Sequence, residues 1–282
     1  MSTQVLYKAK KLSELADAYE ADDNCELLIH DGKGLKKISK ADFDKKLTSR
    51  IDDNDKFINI FRKPGALAHN NIYRGDNLGD MVTEAQYKEI KTGNFDNMYI
   101  GDYWKISKCR YRIASFDYYY NTGDDKCRSH HITIVPDYGI YKKQMNEELT
   151  TVGGYVSSKM YTDNIKHAEQ DIENAFNGHV MSHSRLLSDS KGWDWYVSKV
   201  TLLNEVQVYG TRVRGVGKFD VSNNDRQLQL FAFNNSAIHN GQTYWLLDIY
   251  ESGIFCCVNK AGHADALKAT EKCIIRPVFS IC

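Results

Sequence analysis

The chain has no excess of either charge. Lysine and arginine number 37 together, aspartate and glutamate also 37. Phosphate backbones are bound by basic surfaces, so this balance argues against nucleic acid as the main partner. No apolar run approaches the length of a membrane span. The start, "MSTQVLYKAKKLSELADAYEADD", carries no signal-peptide apolar core, so the expectation is a protein made and folded in a cytoplasm, its seven cysteines reduced. None of those cysteines forms a CxxC pair, which leaves no zinc-ribbon spacing.

Other catalytic spacings are missing too. "GHVMSHSR" sets His179 and His183 four apart, but the glutamate of HExxH is absent and Gly178 marks a helix end. These two are expected to hold a turn by hydrogen bonds. In "SHHITIVP", His130 and His131 are adjacent in a strand and face opposite ways, so one should be buried and one exposed. Cys256 and Cys257 are consecutive and face apart for the same reason. "GTRVRGVGKFD" lacks the GxxxxGK[ST] of a phosphate loop, since Phe219 follows Lys218. Its Arg212, Arg214 and Lys218, with Arg226 further on, read as a flexible surface loop. The expectation is therefore no catalytic residue, no metal and no cofactor.

What the chain does have is tyrosine, 18 copies against three prolines. Such usage suits strands and recognition surfaces. The first fifty residues read as a small unit. "CELLIHDGKGLKKIS" is strand, turn, strand, with Asp31-Gly32-Lys33-Gly34 as the turn. Ser39 is placed to cap a short helix over about 40–47. One hairpin and one helix bury too little surface to stand alone. Residues 51–80, rich in Asn, Asp and Gly, read as a connector. Residues 81–282 read as one domain. Thr83 with Gln86 three residues on has capping-box spacing. Strands follow at "NMYIGDYWKI", "CRYRIASFDYYY" and "HHITIVPD". In "SSKMYTDNIKHAEQDIENAF", Met160, Ile165, Ala168, Ile172 and Phe176 form an apolar helix face. The fold class is α+β, with long loops of the kind that carry function.

Near the C-terminus, "YWLLDIY" and "CIIRPVFSIC" have the content of core strands, yet each holds a charge. Buried charges are paired, so Arg276 is expected to form a structural ion pair with Glu205 or Asp248. Pro277 marks a strand edge or bulge. Between those strands, 251–272 has little period.

Taken in order, "HHITIVPD", "TTVGGYVSSKMYT", "GHVMSH", "VTLLNEVQVYG", "QLQLF", "YWLLDI" and "RPVFSIC" resemble the C-type-lectin-like domain found in many phages of gut bacteria and in related prophages. The same broad fold includes the variable proteins of diversity-generating retroelements and the formylglycine-generating enzymes. "ADDNCELLIHDGKGLKKISKADF" is similar to the leading segments of phage fibre proteins. The resemblance implies a C-type-lectin-like domain preceded by a virion-anchoring unit at 1–50. It implies a structural virion protein, a tail fibre or spike that attaches to a host-surface protein or glycan. Its partners would be other virion proteins and further copies of itself, as a trimer, assembled in the host bacterial cytoplasm. A capsid decoration or head-fibre protein is the alternative in the same class, and an oxidase-like enzyme on the same fold is the alternative in another. The resemblance also implies that Phe255, Val258, Gly262, Ala264 and Ala269 anchor the 251–272 stretch. Ile254, Cys257, Lys260, His263, Asp265, Leu267, Lys268 and Glu271 then fall at varied, ligand-binding positions.

Overall fold

The protein is described by a computed structural model, for residues 26–30, 33–45, 47–49, 65–189, 191–219 and 224–282. The chain divides into two compact units, Met1–Lys63 and Pro64–Cys282.

In the first unit, β1 (Glu26–His30) and β2 (Leu35–Ser39) form an antiparallel hairpin with Glu26 opposite Ser39 and His30 opposite Leu35. Lys37 and Glu26 pair across it. Helix α1 (residues 40–45) starts at Ser39, whose Oγ accepts the Asp42 N–H at 3.0 Å. That is the N-cap expected from sequence. Two residues of the expected turn, 31 and 32, lie outside the described residues.

The second unit is mixed α+β. Short helix α2 (Ala66–His69) and β3 (Asn77–Gly79) precede α3 (Glu84–Thr92). Strands β4 (Tyr103–Ile106), β5 (Cys109–Phe116), β6 (Ile132–Pro136) and β7 (Tyr141–Lys143) follow. Helix α4 (Ile165–Ala175) leads to the hairpin β8 (His183–Ser188) and β9 (Trp193–Ser198). Then come β10 (Val200–Leu202), α5 (Glu205–Tyr209), α6 (Gln229–Phe233) and β11 (Tyr244–Glu251). The last strands are β12 (Ile254–Val258), β13 (Ala264–Lys268), β14 (Cys273–Ile275) and β15 (Pro277–Ile281).

Two larger sheets result. One has the order β10-β15-β6-β5-β4-β3, the other β13-β12-β11-β14-β7. Every residue of β6 and β15 is buried, as strands covered on both faces require. Thr133 and Ser280, opposite one another there, satisfy their hydroxyls mutually at 3.0 Å. The sheets are joined where the Leu203 carbonyl, just after β10, accepts the Leu247 N–H of β11 at 2.9 Å.

Helix α3 has the expected capping box: Thr83 Oγ1 accepts the Gln86 N–H and Gln86 Oε1 accepts the Thr83 N–H. Helix α4 and its flanks bury Met160, Ile165, Ala168, Ile172 and Phe176. Met160 and Ile165 are five apart and would diverge on an α-helix. The π-helical turn Met160–Asn164 adds the residue that aligns them. Phe176 then packs edge-on against Tyr111 and Phe279 of the larger sheet.

Two expectations are corrected. Residues 65–80, the second half of the expected connector, belong to the second unit. Asp102, fully buried, accepts the Gly75, Asp76 and Tyr99 N–H groups and pairs with Arg74 Nη2 at 2.7 Å. A single carboxylate so placed holds an Asn/Asp/Gly-rich stretch that has no periodicity to reveal it. The second correction concerns Arg276. It is buried, but neither Glu205 nor Asp248 is its partner. Its Nε donates to the Pro136 carbonyl at 2.9 Å and its Nη1 to the Ala237 carbonyl at 2.8 Å. Its guanidinium lies over Tyr244 and Phe231, 5.0 and 5.5 Å from their centroids. Carbonyl dipoles and ring faces compensate the charge, a role open to a planar, weakly hydrated cation. Pro277 is the first residue of β15, where a missing N–H does least harm.

Arg276→Met is expected to cost at least ~2 kcal/mol, because it orphans two carbonyls. In a double-mutant cycle with Asp248→Asn, measured by urea denaturation, the effects should add within about 0.5 kcal/mol. A coupling well above that would restore the ion pair.

Candidate functional site

The loosely patterned stretch is a β-hairpin. Strands β12 and β13 pair with Ile254 opposite Lys268 and Val258 opposite Ala264. Phe255, Val258 and Ala269 are buried, as anchors should be. The turn at 259–263 is closed by Asn259, whose N–H bonds the His263 carbonyl and whose side chain accepts the Ala261 and His263 N–H groups. Gly262 occupies the left-handed region, φ 85°, and a Cβ there would stand 2.7 Å from His239.

The eight candidate ligand-binding residues do not share one surface. Lys260 and His263 project from the turn, exposed, and Lys268 and Glu271 are exposed at the other end. Ile254 and Lys268 lie on one face of the hairpin by register, Cys257, Asp265 and Leu267 on the other. Ile254, Asp265 and Leu267 are half-buried. Cys257 is corrected outright: it is 1% exposed, paired in register with Trp245 in the middle of the sheet. Burial pushes its thiol well above the usual range, and does the same to Cys256 on the opposite face. Neither offers a thiolate at neutral pH.

Asp265 and Glu271 have another task. Strand β13 is the sheet's edge. Asp265 Oδ1 accepts the Ala266 N–H at 2.9 Å and Glu271 Oε1 the Lys268 N–H at 3.2 Å. Arg214 Nε donates to the Ala264 carbonyl at 3.0 Å. Side chains thus occupy main-chain groups on which another strand would otherwise pair.

The 210–219 loop is not simply flexible surface. Helix α5, capped by Asn204 and Gln207, presents Glu205 at its first position. Glu205 is fully buried, and its carboxylate accepts the N–H groups of Val213, Arg214 and Gly215 at 2.8–3.0 Å. Successive backbone donors converging on one anion form a nest. Asp248 of β11 accepts the Glu205 N–H at 2.8 Å. Burial first, and the adjacent Glu205 second, push the Asp248 carboxyl up to about 8. Asp248 thus holds its proton well above the usual carboxylate range, while the nest donates to the Glu205 carboxylate. Tyr209 donates to the Gly262 carbonyl at 3.1 Å, tying α5 to the hairpin turn. Residues 211–214 and 260, 261 and 263 are exposed beside this support, and Arg214 Nε ties the loop to the hairpin at the Ala264 carbonyl. The sequence signal for α5 was Asn204, Gln207 and Gly210 at capping distances. Nothing in the sequence said where the Glu205 carboxylate would go.

His130 and His131 face apart as expected, but His183 does not hold a turn by hydrogen bonds: it lies in strand β8, buried, with neither ring nitrogen hydrogen-bonded. His131 is buried and His130 half-exposed. His179 follows the end of α4, its Nδ1 3.1 Å from the Cys282 carbonyl oxygen, and His183 starts β8. His183 packs on Tyr119, and burial with the nearby Arg185 lowers its pKa to about 3. A buried ion pair unforeseen from sequence, Arg185–Asp225 at 3.0 Å, lies beside it. Among the described residues no three His, Cys, Asp or Glu side chains are grouped to hold a metal ion. No helix among them is long and apolar enough to cross a membrane.

Glu205→Gln sets an amide N–H₂ group among N–H donors and is expected to cost roughly 1.5–3 kcal/mol. Hydrogen exchange should accelerate at the 213–215 amides. Unchanged protection there would show the nest to be dispensable.

Asp248 sets a pH dependence. The folded chain keeps its proton to about pH 8, the unfolded chain only to the ordinary aspartate value near 4. The folded state binds more protons between those limits, so this group's stabilisation is full below about pH 4 and is lost as pH rises to about 8. In chemical denaturation across that range, Asp248→Asn should flatten the decline. A wild-type slope persisting in the variant would assign it to another group.

Comparison with family models, with curated proteins and with solved structures found no match for this chain.

Proposed function

We propose that the chain is a structural virion protein of a tailed phage, a fibre or spike whose C-type-lectin-like domain binds a host-surface ligand. One observation carries the binding half of this reading: the exposed residues at 211–214 and 260, 261 and 263 stand on backbone held by the buried Glu205–Asp248 pair, by Tyr209 and by the side-chain tie from Arg214 to the Ala264 carbonyl. Side chains on such a face carry little packing energy, and changing them leaves the scaffold intact. A surface built that way suits recognition that has to vary. On this reading the last strand, β15, is held inside the larger sheet, while the β12–β13 hairpin is carried at the outer edge of the other sheet, beyond β11. The small first unit, a hairpin and a helix, suits the anchoring role and association as a trimer on other virion proteins. Mechanism on this reading is binding. The buried, protonated Cys256 and Cys257 give the oxidase-like alternative no support. A capsid decoration or head fibre would use the same face against a neighbouring virion protein.

The test is a triple variant, Arg212→Glu, Lys260→Glu and His263→Glu, carried on phage particles. Melting should stay within a few degrees of wild type, because exposed substitutions shift stability by about 0.5 kcal/mol or less each. Adsorption to the propagating bacterium should be lost, since few residues dominate an interface. Immunogold labelling should place the protein on the tail; label on the head with normal adsorption would select the decoration reading. Absence of the protein from particles would end both.

A further inference from the structure

A cavity lies on other elements. Glu84, Tyr87, Lys88 and Lys91 recur at i, i+3, i+4 and i+7 and so share one face of α3. With Arg128, His130 and His179 they line a half-open cleft of about 580 Å³, within the range of small-molecule sites. Lys88, Lys91 and Arg128 bring three positive charges to its walls, and Glu84 is the one acidic side chain there. None of the three cations has an ion-pair partner among the described residues; Arg128 bonds the neutral Asn121 side chain. The chain as a whole is balanced in charge, so the excess is local.

The two imidazoles are fixed in orientation. His130 Nδ1 is 2.7 Å from Asp117 Oδ2, and its ring stacks on Tyr120 at 4.9 Å. Gly93, at the end of α3, packs so closely that a Cβ would stand 2.8 Å from that ring. His179 stacks on Tyr87 at 3.7 Å while its Nδ1 faces the Cys282 carbonyl oxygen. A carboxylate and a carbonyl only accept, so Nδ1 is the donor in both rings. Each Nε2 is left without a described partner, in a residue that lines the cavity. An Nε2 that gains a proton becomes a donor to an anion.

The geometry points to a binding site for a compact ligand bearing two or more acidic groups, phosphate or carboxylate. Like charges held together in a cleft repel, and an anion between them turns that repulsion into charge-assisted hydrogen bonds. The stacked, pre-oriented rings reduce the ordering cost of binding. The site does not rest on the virion reading, and either can fail alone.

The test uses the full chain, titrated calorimetrically with tripolyphosphate and with citrate at fixed ionic strength. Lys91→Glu/Arg128→Glu should weaken binding of the preferred probe at least tenfold. Lys142→Glu/Lys272→Glu, the same charge change elsewhere, should leave it within twofold. His130→Gln, keeping all three cations, should weaken it several-fold. Tighter tripolyphosphate assigns phosphate chemistry, and tighter citrate assigns carboxylate. If Lys91→Glu/Arg128→Glu fails to fold by circular dichroism, Lys91→Gln/Arg128→Gln replaces it with the same expected direction. No binding of either probe at millimolar concentration overturns the site, as does equal weakening by the two charge-reversed pairs.

Discussion

One carboxylate, that of Glu205, holds the exposed face to the core. It is buried, and three consecutive backbone N–H groups donate to it in place of water. Isolated buried charge is too costly to persist, so wherever Glu205 goes the 213–215 backbone has to follow. Asp248 extends the constraint to β11 by accepting the Glu205 N–H. It can do so beside another carboxylate only because burial and that neighbour keep it protonated. Loop, helix α5 and central strand are thereby fixed to one another, and the hairpin turn is fixed to α5 through Tyr209.

The same economy of charge recurs across the second unit. Asp102 gathers backbone donors from residues 75, 76 and 99 while pairing with Arg74. The charge of Arg276 is compensated by carbonyl dipoles and aromatic faces instead of a carboxylate. Buried ions are thus used to fix irregular chain, where periodic hydrogen bonding is unavailable, while β6, β11 and β15 supply the apolar burial that stabilises the whole. Division of labour of this kind lets exposed side chains on the loops change without loss of the fold.

Much of the regular structure was legible in the sequence. Thr83 and Gln86, Ser39 and Asp42, and the apolar stripe from Met160 to Phe176 are local signals, and local hydrogen bonding or periodicity acts on them directly. So too was the α+β class, and the inward placement of Arg276, Glu205 and Asp248, because an ionisable residue in an apolar run has nowhere else to sit. The partners were not legible. A buried arginine can be satisfied by carboxylate, carbonyl or ring, and the choice depends on which strand end lies within 3 Å, a long-range fact. The resemblance put Cys257 among the varied surface positions, yet β11 pairs beside it and it is buried with its neighbours Phe255, Cys256 and Val258.

By itself, then, the sequence determined element types, caps and which residues leave water, since those follow from interactions among near neighbours and from the cost of hydrating or burying each side chain. Tertiary structure alone decided that 65–80 is core, that Glu205 holds a loop, that Asp265 and Glu271 seal a sheet edge, and that α3 and the 128–130 segment line a basic cleft. Each of these brings together groups far apart in the chain or turns a side chain onto backbone, and no local pattern encodes which distant donor a given acceptor will meet.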